Sequence, residues 1–200
     1  MTQTAAAHPT AAPTAGTTSS GLRSLHLVRV AFSLVWVALV LTTSASLESA
    51  DGVTAIAGVL LVVYPLWDAV ATLLEPRLAG TGSLDRVGAV NVGLGLATAA
   101  GMAVAAFSTV GAALLVFGVW ALLAGAVQLA VALRRRRTVG AQWPMIVSGG
   151  QSVLAGAVIA GTSGSATSGL STVAGYSAFG AFWFLVSVAA LSVRARRAGR

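Results

Sequence analysis

Long apolar segments separated by short charged ones constrain this chain more than any other feature of its sequence. A helix needs about 20 mostly apolar residues to cross a hydrocarbon core ~30 Å thick, because it rises about 1.5 Å per residue. Six segments meet or approach that length, at residues 27–46, 54–74, 88–107, 110–133, 143–161 and 170–193. Only 8% of the 200 residues are charged and 56% are hydrophobic, whereas soluble domains carry about 25% charged residues. The sequence therefore predicts an all-α membrane protein with six transmembrane helices.

Two segments of the chain need separate interpretation. Residues 1–22 carry no charge and consist mainly of Ala, Thr, Pro, Ser and Gly, which predicts a disordered polar tail before a six-helix domain at 23–200. Arg23 and Arg29 follow this polar stretch and lead into a long apolar one, which is not the order of a cleavable signal peptide. Residues 143–161 are short and rich in glycine and serine, so a buried re-entrant segment is the alternative to a full span there.

The basic residues fix an orientation for the predicted bundle. All twelve are arginines, and basic residues that flank membrane segments stay on the cytoplasmic side. They lie before the first helix, after the second and fourth helices and at the end of the chain: Arg23, Arg29, Arg77, Arg86, Arg134, Arg135, Arg136, Arg137, Arg194, Arg196, Arg197 and Arg200. An odd number of helices would break this partition. We therefore expect both termini on the cytoplasmic side of the plasma (inner) membrane.

The arginines also indicate the partners of the chain. The cytoplasmic leaflet is rich in anionic lipid, which attracts basic residues next to membrane helices. Nucleic-acid binding would need base-reading or stacking elements beside the charges, and the cytoplasmic segments are too short to supply them. We expect the bilayer as the main partner, together with a second copy of the chain or another membrane protein, and no nucleic acid.

Small residues predict how the helices pack. The short external turns and the arginine-bearing internal ones suggest three hairpin repeats, which pair the helices as first with second, third with fourth and fifth with sixth. Small residues at spacings of four or seven let helix backbones approach closely in lipid. The third, fourth and fifth helices carry such stripes, from which we predict packing contacts at Gly93, Gly101, Gly118, Gly125 and Gly156. The alternative is that these faces line a narrow path or a sliding interface.

Three stretches carry a resemblance to a known family. VYPLWDAVATLLEPR, VFGVWALLAGAVQLAVALRRRR and GAQWPMIVSGGQSVLAGAVIAG resemble the short-repeat bacterial membrane proteins of the HdeD family, whose named member is linked to acid resistance. The resemblance covers residues 27–197 and rests on hairpin repetition and glycine-rich helices. It implies a multi-pass plasma-membrane protein that serves stress or acid tolerance, and it brings no catalytic residues to this chain.

The sequence offers little material for catalysis. It has no cysteine and two histidines, so disulfides, thiol nucleophiles and the common transition-metal sites are excluded or nearly so. It contains no HExxH, no GxSxG and no GxxxxGK[ST] motif. We expect neither an enzyme nor a cofactor.

Asp68 is the exceptional ionisable residue. It lies six residues before Leu74, hence about 9 Å inside the apolar core, where a charged aspartate costs roughly 2–3 kcal/mol unless it has a partner. Pro65 removes a helix hydrogen bond nearby and predicts a kink. Other polar residues lie at a similar depth on other helices, and together they predict one buried polar layer: Arg29, Asp68, Asn91, Gln128 and Gln151.

Two interpretations of this layer stay open, and they lead to two functions. In the first, an Arg29–Asp68 ion pair and amide hydrogen bonds lock the helices together. In the second, Asp68 is a protonatable switch or relay, because a low-dielectric surrounding favours the neutral carboxyl. The first accords with a non-enzymatic protein of HdeD type in acid or stress tolerance and membrane integrity. The second accords with a small transporter or proton-responsive channel.

Overall fold

Six long helices make up most of the part of the chain that the structure describes. The computed structural model describes residues 15–49, 52–78, 80, 82–106, 108–137, 142–165 and 169–198. The helices are α1 (Ala15–Leu47), α2 (Ala55–Leu78), α3 (Arg86–Ala105), α4 (Val110–Arg135), α5 (Trp143–Thr162) and α6 (Ser171–Ala198). Two short antiparallel strands, β1 (Glu48–Ser49) and β2 (Gly52–Val53), lie between α1 and α2. Each helix contains a segment long and apolar enough to span a membrane, which confirms the predicted six-helix membrane architecture.

The first helix begins earlier than the sequence predicts. It starts at Ala15, inside the segment predicted as a disordered tail, while residues 1–14 lie outside the described part of the chain. Within this early part of α1, Gly21 lies against the end of α2, since a methyl group placed on it would be 2.7 Å from the carbonyl oxygen of Leu78. The span of α1 covers only Ser24–Thr42, so the helix extends past the apolar segment at both ends.

The later segments follow the predicted boundaries closely. Helix α5 runs without a break over 20 residues, Trp143–Thr162, which favours a full span over the re-entrant alternative. Helix α2 likewise continues through Pro65, and the kink there stays a prediction. Between α2 and α3, Gly80 and Gly82 adopt φ angles of 69° and 75°, which glycine tolerates without steric cost.

Neighbouring helices run antiparallel and form a ring that α1 and α6 close. The most extensive contacts join α4 with α5, α1 with α6 and α2 with α3. The contacts of α1 with α2, α3 with α4 and α5 with α6 are smaller. The pairs predicted as hairpins are therefore not the most closely packed pairs, and the repeat itself stays a prediction.

Helices α4 and α5 approach each other at glycines. A methyl group on Gly118 would lie 2.5 Å from the backbone nitrogen of Ala160, and one on Gly125 would lie 2.9 Å from the carbonyl oxygen of Gly149. Gly156 faces the backbone of α4 in the same way. Gly118 and Gly125 on α4 are seven residues apart, and so are Gly149 and Gly156 on α5. Residues at this spacing stay on one face of a helix, so the glycines of the two antiparallel helices face each other. Gly118, Gly125 and Gly156 thus lie where side chains have no room.

The close packing contact of α3 does not fall on the glycines that the sequence predicts. A methyl group on Gly93 would have no neighbour within 4 Å, and one on Gly101 would meet only a side-chain methyl of Val116 at 3.7 Å. The close approach of α3 to α2 falls instead on Gly95, where a methyl would lie 3.0 Å from the Ala69 side chain. The predicted packing role of Gly93 is wrong, because this glycine is exposed and no neighbouring helix approaches it.

The outer and inner surfaces of the ring differ in the way that a bilayer requires. Large apolar side chains are exposed around the bundle, with Val104 72% exposed and Leu154 70% exposed. Soluble proteins rarely expose so large an apolar surface, whereas such a surface suits contact with lipid. Inside the ring, a core of buried apolar and aromatic side chains fills the half of the bundle far from the α2–α3 connection, and it includes Trp36, Met102 and Phe117.

Candidate functional site

Four polar side chains from α1, α2 and α3 meet at one place in the bundle. Arg29 Nη1 lies 3.7 Å from Asp68 Oδ1, and Asn91 Nδ2 donates to Asp68 Oδ2 at 3.3 Å. Thr72 is the hub of the cluster, since its hydroxyl accepts from Arg29 Nη2 at 3.3 Å and from Asn91 Nδ2 at 3.2 Å. The same hydroxyl donates to the Asp68 carbonyl oxygen at 2.8 Å. We call these four residues the polar cluster.

The two glutamines of the predicted layer do not take part in the hydrogen bonds of this cluster. Gln128 Nε2 donates to the carbonyl oxygen of Met145 at 3.2 Å, which joins α4 to α5. Gln151 Oε1 accepts from Trp183 Nε1 at 2.7 Å, which joins α5 to α6. The predicted layer is therefore found in part. Arg29, Asp68 and Asn91 are in direct contact, and Gln128 lines the same cavity as these three residues, whereas Gln151 is not among the lining residues.

The ion pair in the polar cluster is loose. A strong charge-assisted hydrogen bond has a nitrogen–oxygen distance of about 2.7–2.9 Å, and 3.7 Å is well beyond it. The Asp68 side chain is 25% exposed, against 12% for Arg29. Arg29 is also covered by the Phe184 ring, whose centroid lies 5.3 Å from the guanidinium carbon. Of the two charges, the carboxylate is therefore the more accessible.

A cavity of about 620 Å³ lies beside the polar cluster, and side chains of all six helices line it. Its mouth is at the α2–α3 connection, where the exposed residues Glu75, Ser83 and Asp85 belong to the lining. Glu75 and Tyr64 both line it and are eleven residues apart on α2, so it extends about 16 Å along that helix. That is about half of a ~30 Å hydrocarbon core.

Aromatic rings close the inner end of this cavity. Tyr64, Trp120 and Tyr176 belong to its lining. The Tyr64 ring lies 5.9 Å from the Trp120 ring, edge to face, and 4.6 Å from the Trp36 ring of the apolar core. Tyr176 donates to the Ser152 hydroxyl at 3.1 Å. The cavity is thus a cup that is open at one end of the bundle and sealed at the other by packed rings.

The charges around the cup have the opposite sign to the chain as a whole. The protein carries a formal charge of +7, yet the charged side chains among the described lining residues are three acids, Asp68, Glu75 and Asp85, and one arginine, Arg29. Arg77 and Arg86 are close in sequence to the mouth, but neither belongs to the lining. A cleft lined mainly by one sign of charge, with low-dielectric walls, concentrates ions of the other sign.

Sequence reasoning missed Thr72 and the aromatic end of the cup. Thr72 is four residues after Asp68, so the two share one face of α2, and this spacing was the available signal. Trp120 looks in sequence like an ordinary membrane aromatic, and Tyr64 is recognisable there only as an aromatic with a polar group near Asp68. In the part of the chain that the structure describes, no group of three or more His, Asp or Glu side chains could hold a metal ion.

Comparison of the chain with protein-family models, curated proteins and solved structures finds no match. The resemblance to the HdeD family therefore stays a prediction from the sequence, and the geometry of the cup carries the functional argument.

Proposed function

We propose that this integral membrane protein is a small carrier that takes up a solute into the cup between its six helices. The observation that supports the proposal is the cavity of about 620 Å³ with the polar cluster in its wall. Small-molecule sites are typically cavities of about 300–1,000 Å³ with mainly apolar and aromatic walls and a few placed polar groups. A bundle whose only task is to stabilise the membrane has no need of such a space.

The position of the cup fits the inward-open state of a carrier. Sites in carriers lie near the middle of the bilayer and are reached from one side at a time. The cup reaches about half of the hydrocarbon core, and the packed rings of Tyr64, Phe117 and Trp120 close its inner end. Under the positive-inside rule its mouth, at the arginine-rich end, faces the cytoplasm of the bacterial plasma membrane.

The stress-tolerance function implied by the HdeD resemblance is compatible with a carrier, since export of a harmful solute is one route to tolerance. The cup favours the carrier as the molecular activity. The polar cluster then has two roles, because it joins α1, α2 and α3 and also offers a carboxylate to the solute.

Cysteine labelling from each side of the membrane tests the proposal. The chain has no cysteine, so a single one can be placed in the cup by Ser148→Cys, and its neighbour Val147, which is 43% exposed on the outer surface, supplies the matched control Val147→Cys. Membrane-impermeant maleimide is applied to inside-out and right-side-out vesicles.

A carrier exposes its site to each side in turn, so we expect Ser148→Cys to react from both sides and Val147→Cys from neither. Reaction of Ser148→Cys from the arginine-rich side alone would contradict a carrier and indicate a static cavity. Failure to react from either side would show that water does not enter the cup.

A further inference from the structure

We infer that the cup selects small organic cations with an aromatic part. This inference rests on the proposed carrier function and names its substrate class. It depends on three features of the cup: a carboxylate with unused hydrogen-bond acceptor sites, an excess of acidic over basic side chains in the lining, and a wall of aromatic rings.

The Asp68 carboxylate has unused capacity to accept hydrogen bonds. A carboxylate offers about four lone-pair sites, and the structure gives Asp68 one side-chain hydrogen bond, from Asn91 at 3.3 Å, and the long contact with Arg29 at 3.7 Å. Its side chain is a quarter exposed and lies in the cavity wall. A cationic head group can therefore reach the carboxylate without first breaking a short hydrogen bond.

The competing positive charge of Arg29 has other partners besides Asp68. Arg29 donates to Thr72 at 3.3 Å and lies against the Phe184 ring, and its side chain is only 12% exposed. When a cation binds Asp68, Arg29 keeps these two contacts. At the mouth, Glu75 and Asp85 add negative charge to the lining, so the interior of the cup favours cations over anions.

The aromatic walls fit the rest of such a molecule. Tyr64, Trp67, Trp120, Tyr176 and Trp183 line the same cavity as Asp68. Faces of tryptophan and tyrosine attract cations that have been stripped of water, and quaternary ammonium groups in particular. Aromatic rings also stack on one another, which gives the apolar part of the solute a binding surface. An inorganic cation would gain little here, since one accessible carboxylate makes a poor coordination shell.

Two probes of similar shape and opposite charge test the substrate class. Benzyltrimethylammonium and phenylmethanesulfonate are titrated calorimetrically into the full-length protein in lipid nanodiscs, with empty nanodiscs as the blank. We expect the ammonium to bind at least about tenfold more tightly than the sulfonate. Tighter binding of the sulfonate would overturn the inference, and so would equal affinity for both probes.

Variants of the polar cluster locate the binding. Arg29→Gln frees the carboxylate and is expected to raise affinity for the ammonium by about tenfold, whereas Arg29→Gln/Asp68→Asn removes both charges and lowers it at least about tenfold below the unmodified protein. The double variant also avoids the uncompensated buried charge that Asp68→Asn alone would leave. Arg77→Gln changes the surface charge outside the lining and serves as the control. Equal gains from Arg29→Gln and Arg77→Gln would show non-specific attraction and would overturn the inference.

The two proposals fail separately. If Ser148→Cys reacts from both sides of the membrane while benzyltrimethylammonium does not bind, the chain is a carrier of another substrate class. If the ammonium binds and the cysteine reacts from one side only, the cup is a cation-binding site that does not move its ligand across the membrane.

Discussion

The close contact between α4 and α5 makes a quantitative prediction about Gly156. A methyl group at this position would lie 2.6 Å from the carbonyl oxygen of Gly118 and 2.8 Å from the Leu122 Cα atom. Carbon atoms pack best at about 3.5–4.0 Å, so Gly156→Ala forces the two helices apart by roughly 1 Å. Backbone cannot rotate away as a side chain can, and overpacking of this kind costs about 1–3 kcal/mol.

A second glycine on the same helix supplies the control. A methyl group at Gly150 would meet nothing within 4 Å, so Gly150→Ala makes the same chemical change without a clash. Alanine favours a helix over glycine by up to about 1 kcal/mol, and both variants gain this term. The difference in the free energy of unfolding between Gly156→Ala and Gly150→Ala therefore isolates the cost of the close approach.

Titration with sodium dodecyl sulfate from mild detergent micelles, followed by circular dichroism, measures this difference. We expect Gly156→Ala to be less stable than Gly150→Ala by about 1–3 kcal/mol. Equal stabilities, within about 0.5 kcal/mol, would refute the argument that the two backbones touch at this glycine.

Three further predictions are tested by the same titration. Gly95→Ala is expected to be about 1–2 kcal/mol less stable than Gly93→Ala, because only Gly95 faces α2 closely, and the reverse order would contradict the packing of α3. Thr72→Val removes the hub of the polar cluster and should cost about 1–3 kcal/mol, and no loss would show that these hydrogen bonds do not contribute. Trp36→Phe removes the 2.8 Å bond to the Leu60 carbonyl oxygen and part of a buried ring. It should cost at least about 1 kcal/mol, and an unchanged midpoint would count against both contributions.

Hydropathy and arginine placement were sufficient to predict the number of helices and most of their ends. A segment that crosses lipid must satisfy its own backbone hydrogen bonds and is therefore helical. The length of each apolar run in the sequence then gives the length of the helix. The start of α1 at Ala15 was missed because residues 15–22 are polar and small and carry no apolar periodicity.

The composition of the polar cluster could be predicted only in part. Residue counting along each helix gives depth in the bilayer, which is why Arg29, Asp68 and Asn91 were correctly expected to meet. It does not give the position of a residue around the ring, so it could not show that Gln128 shares the cavity of these three residues while Gln151 bonds to Trp183.

The cup could not be predicted at all from single helices. A cavity is a property of the whole packed set, since it forms where side chains from six helices fail to meet. The glycine stripe of α4 was visible in the sequence as a seven-residue spacing, but its partner became clear only when Gly149 and Gly156 of α5 were found opposite it.

Counterflow in proteoliposomes tests most directly the claim that this protein carries a solute through its cup. Vesicles that contain the purified protein are loaded with unlabelled benzyltrimethylammonium and diluted into a trace of the radiolabelled cation. The account predicts a transient accumulation of label, which Arg29→Gln/Asp68→Asn abolishes and Arg77→Gln leaves in place. Binding of the cation to the protein without any such accumulation would contradict the account.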